Sequence, residues 1–317
     1  MHTRLLLRCI APICLLLSAG CATTDSHPLQ DSIWHVGEER FVDRGELLDI
    51  LRDTHFIILG EIHDHAGHHR IQAEIIDGLA ADRRRPVIAM EMIDSEQDEA
   101  LAAWLADEEA DAAGLGEAVG WEASGWPSWT LYQPIAETAL KHELVLAAAS
   151  RPRDQVREVA RKGLGSLALD EYRRLGLTTA LPEAQREALG QRLREAHCDM
   201  LPDEALPGML DAQRLRDAHM ARRMRSVDRG DGVVLITGNG HAHTGYGVPW
   251  YLQQAGQRSV FSVGLLPVDE DGTAPQDYVV EFDAVWFTGP VRGDQADPCA
   301  AFEDSSGDNG GENGEAS

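Results

Sequence analysis

The chain has 317 residues, of which 43% are hydrophobic and 26% charged, values that are ordinary for a folded globular protein. This length is enough for one large domain or two modest ones. The formal net charge of −25 becomes −27 without the first 21 residues, which hold two arginines and no acid. Such acidity argues against nucleic acid as a partner.

The first 21 residues differ from the rest. Arg4 precedes and Arg8 interrupts an apolar run, "LLLRCIAPICLLLSAGC". The run is too short and too interrupted for a helix that spans a membrane. A short apolar run with basic residues near the N-terminus is typical of an export signal, so residues 1–21 are predicted to be a signal peptide.

The signal ends in "LLSAGC", which resembles a bacterial lipobox. In that pattern the cysteine, here Cys21, receives diacylglycerol and becomes the new N-terminus. Ser18 stands where the pattern prefers leucine, so an ordinary secretory signal remains the alternative. Because Ala22 rather than aspartate follows, the resemblance implies an anchor in the outer membrane, with the protein on its periplasmic face. Residues 22–37 are predicted to be a linker.

Strands and helices are predicted to alternate after the linker. "THFIILGE" is a short apolar run with polar flanks, which indicates a buried strand, and apolar residues from Ala66 onward recur at helical spacing. Further strands are predicted at "PVIAMEM", "ELVLAAAS", "DGVVLITGNG" and "RSVFSVGLL", with "DYVVEFDAVWF" as an edge strand. This order predicts an α/β fold with a mostly parallel sheet and helices on both faces.

The segment of about residues 153–229 is charged and mostly helical, and includes "LPGMLDAQRLRDAHMARRM". It holds more helix than one crossover needs. We therefore expect a smaller helical subdomain or lid over one end of the sheet, the alternative being helices that simply pack on a face.

The C-terminal residues 291–317 are rich in glycine, serine and acids and are predicted to form a solvated tail, because they bury too little apolar surface to fold. A docking tail is the alternative. Apart from the three cysteines of the leader and lipobox, the chain holds Cys198 and Cys299. They can pair in an oxidising compartment, and the sequence leaves that pairing open.

Four side chains that can carry chemistry follow the predicted strands. Glu61 and His63 lie in "GEIHDH", Glu91 in "EM", and His241 in "GNGHAH". Ligands of α/β sheets bind beyond the carboxyl ends of strands, so these four are expected to converge. Imidazole and carboxylate are ligands for zinc, manganese or iron, although helix caps and hydrogen-bonded histidines are the alternative.

Familiar catalytic motifs are absent from the sequence. The histidines near the first strand lack the glutamate of "HExxH", and neither "GxSxG", a P-loop nor a dinucleotide fingerprint occurs. A hydrolase would therefore use metal-activated water, with Glu61 or Glu91 as the general base.

Several longer stretches resemble the ChaN-like family of iron-regulated bacterial lipoproteins, in the haem-binding uptake and Tiki superfamily. They run from about Glu38 to Pro267 and are "ILGEIHDHAGHHRIQAEII", "VIAMEMIDSEQDEAL", "WEASGWPSWTLYQPI", "HCDMLP", "DAQRLRDAHMA" and "GNGHAHTGYGVPWYL". One departure is Ser150, where asparagine is common. The resemblance implies a domain over residues 38–290 and haem binding across a homodimer. It also implies an outer-membrane haem receptor as a partner.

The same resemblance implies candidate haem contacts. Haem iron accepts His or Tyr as an axial ligand, and Tyr132 and Tyr246 stand in matching motifs, although packed tyrosines are the alternative. For the propionates the candidates are His68, Arg70 and Arg151.

The resulting hypothesis is a membrane-anchored haem-binding lipoprotein of iron acquisition. A metal-dependent hydrolase related to Tiki-type peptidases and erythromycin esterases is the alternative, since that branch carries the paired glycine-to-histidine motif. In the peptidase branch the histidines and a glutamate of these motifs are held to be catalytic. By motif, the resemblance therefore assigns catalysis to Glu61, His63, Glu91 and His241. A purely structural envelope protein is the third possibility.

Overall fold

The computed structural model describes residues 27–81, 83–278, 280–290 and 299. The predicted signal peptide, Cys21 and nearly all of the predicted tail lie outside these residues. No helix among the described residues is long and apolar enough to cross a membrane.

A single sheet of eight strands forms the centre of the described structure. Its order is β2-β1-β8-β7-β3-β6-β4-β5. The strands are β1 (Ile33–His35), β2 (Arg40–Val42), β3 (Phe56–Glu61), β4 (Val87–Asp94), β5 (Leu146–Ser150), β6 (Val233–Gly238), β7 (Val260–Pro267) and β8 (Ala284–Thr288). Strands β3 to β8 pair in parallel, whereas β1 pairs antiparallel with both β2 and β8. The predicted mostly parallel α/β sheet is confirmed.

The two edges of the sheet are β2 and β5. The expectation that "DYVVEFDAVWF" supplies an edge strand is wrong, because β8 lies between β7 and β1 and is buried along its whole length. The strand that covers it, β1, comes from the segment predicted as a linker. Its three residues are too few to show the alternation that identifies a strand in sequence.

Helices cover both faces of the sheet. They are α1 (Arg44–Arg52), α2 (Ala66–Ala81), α3 (Asp98–Leu105), α4 (Ala112–Ala118), α5 (Trp129–Lys141), α6 (Arg153–Lys162), α7 (Leu169–Arg174), α8 (Glu183–Glu195), α9 (Leu206–Val227), α10 (Asn239–Ala242) and α11 (Val248–Gln254). Side chains of α1 to α5 form one core with the sheet, and those of α6 to α9 and α11 form a second core on the opposite face.

The helical segment between β5 and β6 lies on a face of the sheet. Helix α9 packs directly on β4, β5 and β6, while α6 and α8 pack on α9. The helical subdomain is therefore a layer built on α9 that packs on a face of the sheet, which is the alternative arrangement. This arrangement brings the middle of α9 close to the carboxyl ends of β4 and β6.

A disulfide joins Cys198, just after α8, to Cys299. The two cysteines are 101 residues apart in the chain, and their Cα atoms are 5.6 Å apart. The pairing that the sequence left open is thus formed, and it connects the helical subdomain to the C-terminal part of the chain.

Candidate functional site

The two glycine-to-histidine segments are neighbours in space because they follow adjacent strands. Glu61 at the end of β3 is in register with Gly238 at the end of β6. Nδ1 of His63 lies 2.8 Å from Oε1 of Glu61, and the His63 ring contacts Trp126 at a centroid distance of 4.8 Å. A Cβ at Gly238 would lie 2.8 Å from Nε2 of His63, so glycine at this strand end leaves room for the imidazole.

Glu61 is fully buried and has three side-chain partners. His63 and the Tyr132 hydroxyl, at 3.0 Å, both donate to Oε1, while Nδ1 of His69 lies 2.8 Å from Oε2. The other ring nitrogen of His69 donates to the carbonyl oxygen of His63 at 3.0 Å. Nδ1 of His69 is within ion-pair distance of Glu61, and the raised pKa of His69 favours the charged ring in this buried pair.

The pKa values of this first cluster favour the charged forms. Burial alone would raise the pKa of Glu61, but hydrogen bonds from His63 and His69 bring it below its ordinary value. Burial opposes protonation of His69 and His63, yet hydrogen bonding to Glu61 raises the pKa of each histidine. These shifts favour protonated imidazoles of His63 and His69 beside an ionised Glu61 carboxylate.

A second cluster surrounds Glu91. Its Oε2 accepts from the Thr237 hydroxyl at 2.5 Å and from the Gly238 N–H at 2.9 Å. Its Oε1 lies 3.1 Å from Nη2 of Arg216 and 3.2 Å from Nε2 of His241. Arg216 also contacts Nε2 of His241 directly.

His241 is held between two buried acids. Besides Glu91, its ring contacts Asp217, whose Oδ1 lies 2.5 Å from Nδ1 of His241. Burial would raise the pKa of Glu91, but the charge of His241 holds it well below its ordinary value. Burial opposes a charge on His241, whose pKa is nevertheless raised by Glu91, whereas burial raises the pKa of Asp217. The pKa shifts favour an ion pair between His241 and Glu91, while the Arg216 guanidinium, which can only donate, opposes a proton on Nε2 of His241.

The structure divides the four expected metal ligands into two pairs. Strand alternation places Glu61 on the face of Ile57 and Leu59, while Glu91 faces the opposite side with α9. His63, which belongs to the first pair, is close enough to the second pair for the charge of Glu91 to contribute to its raised pKa.

As arranged, these side chains do not fit a metal shell. The Arg216 guanidinium contacts both Glu91 and His241, Oε1 of Glu61 accepts from the Tyr132 hydroxyl, and Oε2 of Glu61 lies within ion-pair distance of His69. Among the described ranges, no group of three or more His, Cys, Asp or Glu side chains is arranged to hold a metal ion.

The candidate haem contacts are not brought together. Tyr132 lies in the core on one face of the sheet, with its hydroxyl on Glu61, and Tyr246 lies in the core on the other face. Burial and the nearby acids raise the pKa of both tyrosines. These two tyrosines match the packed-aromatic alternative.

The cationic candidates are also separate. Both ring nitrogens of His68 are hydrogen-bonded, Nδ1 to the Ile62 N–H and Nε2 to the Thr288 hydroxyl, and burial lowers the pKa of His68 to about 2. Arg151 pairs with Glu171 at 2.5 Å. Arg70 alone is exposed, at the rim of a cavity of about 900 Å³.

Asp217 and Arg216 are the residues that sequence reasoning missed. Both stand in the family-like stretch "DAQRLRDAHMA", and Asp217 is fully buried on α9. Its position continues the helical spacing of the apolar residues Leu210 and Met224. An acid within an otherwise apolar stripe of a helix is the signal that identifies such a buried charge.

The sequence matches the family described as haem-binding uptake, Tiki superfamily, ChaN, over residues 47–252. The chain belongs to this family. A search of curated proteins gave no significant match.

One solved structure shares the fold of this chain, and two others are more distantly similar. ChaN of Campylobacter jejuni, described as binding haem cofacially, is similar with a TM-score of 0.65 and 19% identity, covering 80% of this chain and 95% of that one. The type III effector HopBA1 has a TM-score of 0.43 and 13% identity, covering 77% of this chain and 91% of that one. A mutant of the erythromycin esterase EreC in its open conformation has a TM-score of 0.41 and 15% identity, covering 83% and 82%.

The Glu61–His69 pair predicts a pH-dependent stability. His69, with a pKa raised above 6.5, contributes stability that is complete below pH 6.5 and is lost as pH rises through its folded pKa. Glu61, with a pKa lowered below 4.5, contributes stability that is complete above pH 4.5 and is lost as pH falls through its folded pKa. Glu61→Gln is therefore expected to lower the free energy of unfolding at pH 6 by roughly 3–5 kcal/mol.

Denaturant unfolding of wild type and variant between pH 6 and pH 9 checks this expectation. The loss caused by Glu61→Gln should shrink as pH rises, because His69 then loses its charge in the wild type as well. The exposed acid Glu38, which pairs with Arg40 at the surface, supplies the control variant Glu38→Gln. An equal loss at every pH would contradict the ion pair.

Proposed function

We propose that this protein is a lipid-anchored haem-binding protein of haem or iron acquisition, on the periplasmic face of the outer membrane. Membership of the haem-binding uptake family over residues 47–252 is the observation that carries the proposal. The lipobox at Cys21 supports the anchor. An outer-membrane haem receptor is the proposed source of the ligand.

Two cavities at the carboxyl edge of the sheet support haem binding. Their volumes are about 590 Å³ and about 900 Å³, and Pro290 lines both. Cofactor sites have volumes of roughly 300–1,000 Å³. Arg70 and Arg44 line the larger cavity and can attract propionates, although Arg44 already pairs with Glu74 at 2.6 Å.

We expect haem to promote a dimer because both of its apolar faces have to be buried. Haem has two broad apolar faces, so a site on one subunit leaves one face in water unless a second subunit covers it. Two chains of charge −27 repel each other, and the propionates add negative charge. Salt screens this repulsion, because the Debye length falls from about 30 Å at 0.01 M to about 10 Å at 0.1 M.

A hydrolase is the second candidate, and the Glu61–His63 pair favours it. Glu61 orients Nδ1 of His63, the His63 side chain is 32% exposed, and Nε2 has no hydrogen bond to any described residue. An imidazole held by a carboxylate with one nitrogen free can act as a general base in its neutral form, which the raised pKa of His63 confines to higher pH. Because Arg216 contacts both Glu91 and His241, we propose base catalysis by His63 in place of the metal-activated water expected from the sequence.

Haem should bind and shift the protein toward a dimer. The test uses the Cys21→Ser protein, which lacks the lipid, in a haem titration followed by Soret absorbance, and in sedimentation velocity with and without haem. More dimer is expected at 0.1 M than at 0.01 M salt, with the haem-free protein as control at each concentration. No spectral change together with an unchanged monomer would contradict the proposal.

The lipid anchor predicts that Cys21→Ser releases the protein from membranes. Acyl chains provide the anchoring energy, and two or more chains are needed for stable attachment. Cell fractionation and labelling with palmitate measure the effect, and Cys14→Ser, which changes a cysteine of the leader outside the lipobox, is the matched control. Membrane retention of the Cys21→Ser protein without acyl label would rule out this anchor.

The hydrolase candidate predicts ester or peptide hydrolysis that depends on His63. Loss of a general base lowers kcat about 100-fold or more, so His63→Ala should reduce turnover of a chromogenic ester by that factor, and a chelator should have no effect. His55→Ala is the control, since His55 pairs with Asp228 away from this edge of the sheet. Turnover that is absent from the wild type, or equal in the His63→Ala protein, removes this candidate.

A further inference from the structure

A small cavity lies among the helices that pack on the α9 face of the sheet. Its volume is about 200 Å³, and its walls come from α7, the segment after α7, α9 and α11. It shares no lining residue with the two larger cavities at the carboxyl edge. The second half of α9, which lines it, leads away from that edge, because Asp228 after this helix pairs with His55 before β3. The cavity is therefore separate from the sites described above.

Four arginines line this cavity, and none of its described lining residues is an acid. Arg173 and Arg174 end α7, while Arg222 and Arg225 stand three residues apart on α9, which places them on one side of that helix. The whole chain holds 53 acids and only 28 arginines and lysines. Four arginines with no acid among them therefore create a positive potential that runs against the net charge of the protein.

Most of this positive charge is not paired within the protein. Among the described residues, no carboxylate forms an ion pair with Arg173, Arg222 or Arg225. Arg174 pairs with Asp170 at 2.8 Å, but both side chains are more than half exposed, so that pair is weak. The helix dipole favours arginine in a last turn, which accounts for such residues one by one. It does not account for arginines of two helices that line one space without an acid.

A hydrogen-bonded wall completes the cavity. Tyr251, which is 4% exposed, and Thr179 both line it. Nε of Arg214 donates to the Tyr251 hydroxyl at 3.2 Å, and Nη2 of Arg214 donates to the carbonyl oxygen of Thr179 at 2.9 Å. Arg214 thus connects α11 to the segment after α7. Because the Tyr251 hydroxyl accepts from Arg214 and burial raises its pKa, it keeps a proton that it can donate to a ligand.

The four guanidinium groups fit a phosphate. Guanidinium is planar and donates pairs of hydrogen bonds to phosphate oxygens. A phosphate monoester carries a charge of about −1.5 to −2 at pH 7 and has three acceptor oxygens, so several arginines can share it. Pockets for drug-sized ligands have volumes of roughly 300–1,000 Å³, and this cavity of about 200 Å³ is smaller. It therefore suits a phosphate or a phosphorylated head group and is too small for haem.

We propose that this cavity binds a phosphate group, with Arg173, Arg174, Arg222 and Arg225 as the cationic donors and the Tyr251 hydroxyl as a further donor. The phosphate belongs either to a free phosphorylated small molecule or to the head group of an anionic lipid, since both present the same chemistry to the arginines. Basic pockets of membrane proteins bind cardiolipin head groups in this way. The inference goes beyond the haem binding proposed above and does not depend on it.

The test uses the Cys21→Ser protein as the parent, because without its lipid any binding to vesicles reports on the cavity. Arg173→Gln and Arg222→Gln are added to it singly, and both change exposed side chains. Arg161→Gln is the matched control, since Arg161 is also an exposed arginine of the helical layer but does not line the cavity. Binding of pyrophosphate is measured by calorimetry at about 0.1 M salt, and binding of lipid by sedimentation with phosphatidylcholine vesicles that contain or lack cardiolipin.

The parent should bind pyrophosphate, and loss of either cavity arginine should weaken binding about tenfold, because each removes a hydrogen bond between charged groups. The Arg161→Gln protein should bind like the parent. Sedimentation that requires cardiolipin and is lost in the Arg222→Gln protein assigns the phosphate to a lipid head group. Pyrophosphate binding without such sedimentation assigns it to a free phosphorylated molecule. Haem titrations should agree among all of these proteins.

Two results would overturn the inference. A parent protein that binds neither pyrophosphate nor cardiolipin vesicles has no such site. Equal affinities in the Arg222→Gln and Arg161→Gln proteins would mean that the anion binds elsewhere on the surface. Both results leave the haem proposal standing, because that proposal fails on a different observation, the absence of a Soret change.

Discussion

The parallel register of β3, β6 and β4 determines where the chemically active side chains lie. Because these strands run in the same direction and start in register, they end at one edge of the sheet, and the loops after them meet there. Alternation along each strand then assigns the side chains to faces. Glu61 is directed toward α2 and α5, whereas Glu91 is directed toward α9. Two separate clusters, one around Glu61 and one around Glu91, therefore lie at one edge of the sheet.

Each buried acid of these clusters has a cation within hydrogen-bond distance. Removing an ion from water costs several kcal/mol, so Glu61 would lose its charge without His69, and Glu91 would lose its charge without His241 and Arg216. In the described structure, imidazole and guanidinium groups lie beside these carboxylates and can supply the compensating positive charge.

The sequence predicts what depends on local pattern. Buried strands such as β3 and the helix α2 can be predicted from their local patterns. The proximity of Glu61 and His63 at a strand end can be predicted as well. The opposite faces of Glu61 and Glu91 cannot be predicted in this way, because counting alternate residues assigns faces only once β3 and β4 are aligned. That alignment is a tertiary fact, as is the pairing of β1 with β8, and neither leaves a local signal. Asp217 did have a local signal in the sequence, because it is an acid within an apolar stripe of α9.

The hydrogen-bond partners of each buried histidine decide its charge and its capacity to bind. The pKa of His69 is raised beside Glu61 and that of His241 beside Glu91, and the ring nitrogens of both histidines already contact neighbouring groups. His68 accepts from a backbone N–H at one nitrogen and meets the Thr288 hydroxyl at the other, so it is neutral and equally saturated. His243 has an acceptor at one nitrogen only. A ligand at any of the first three would have to break an existing contact, whereas Nε2 of His243 is buried without a hydrogen-bond partner among the described residues.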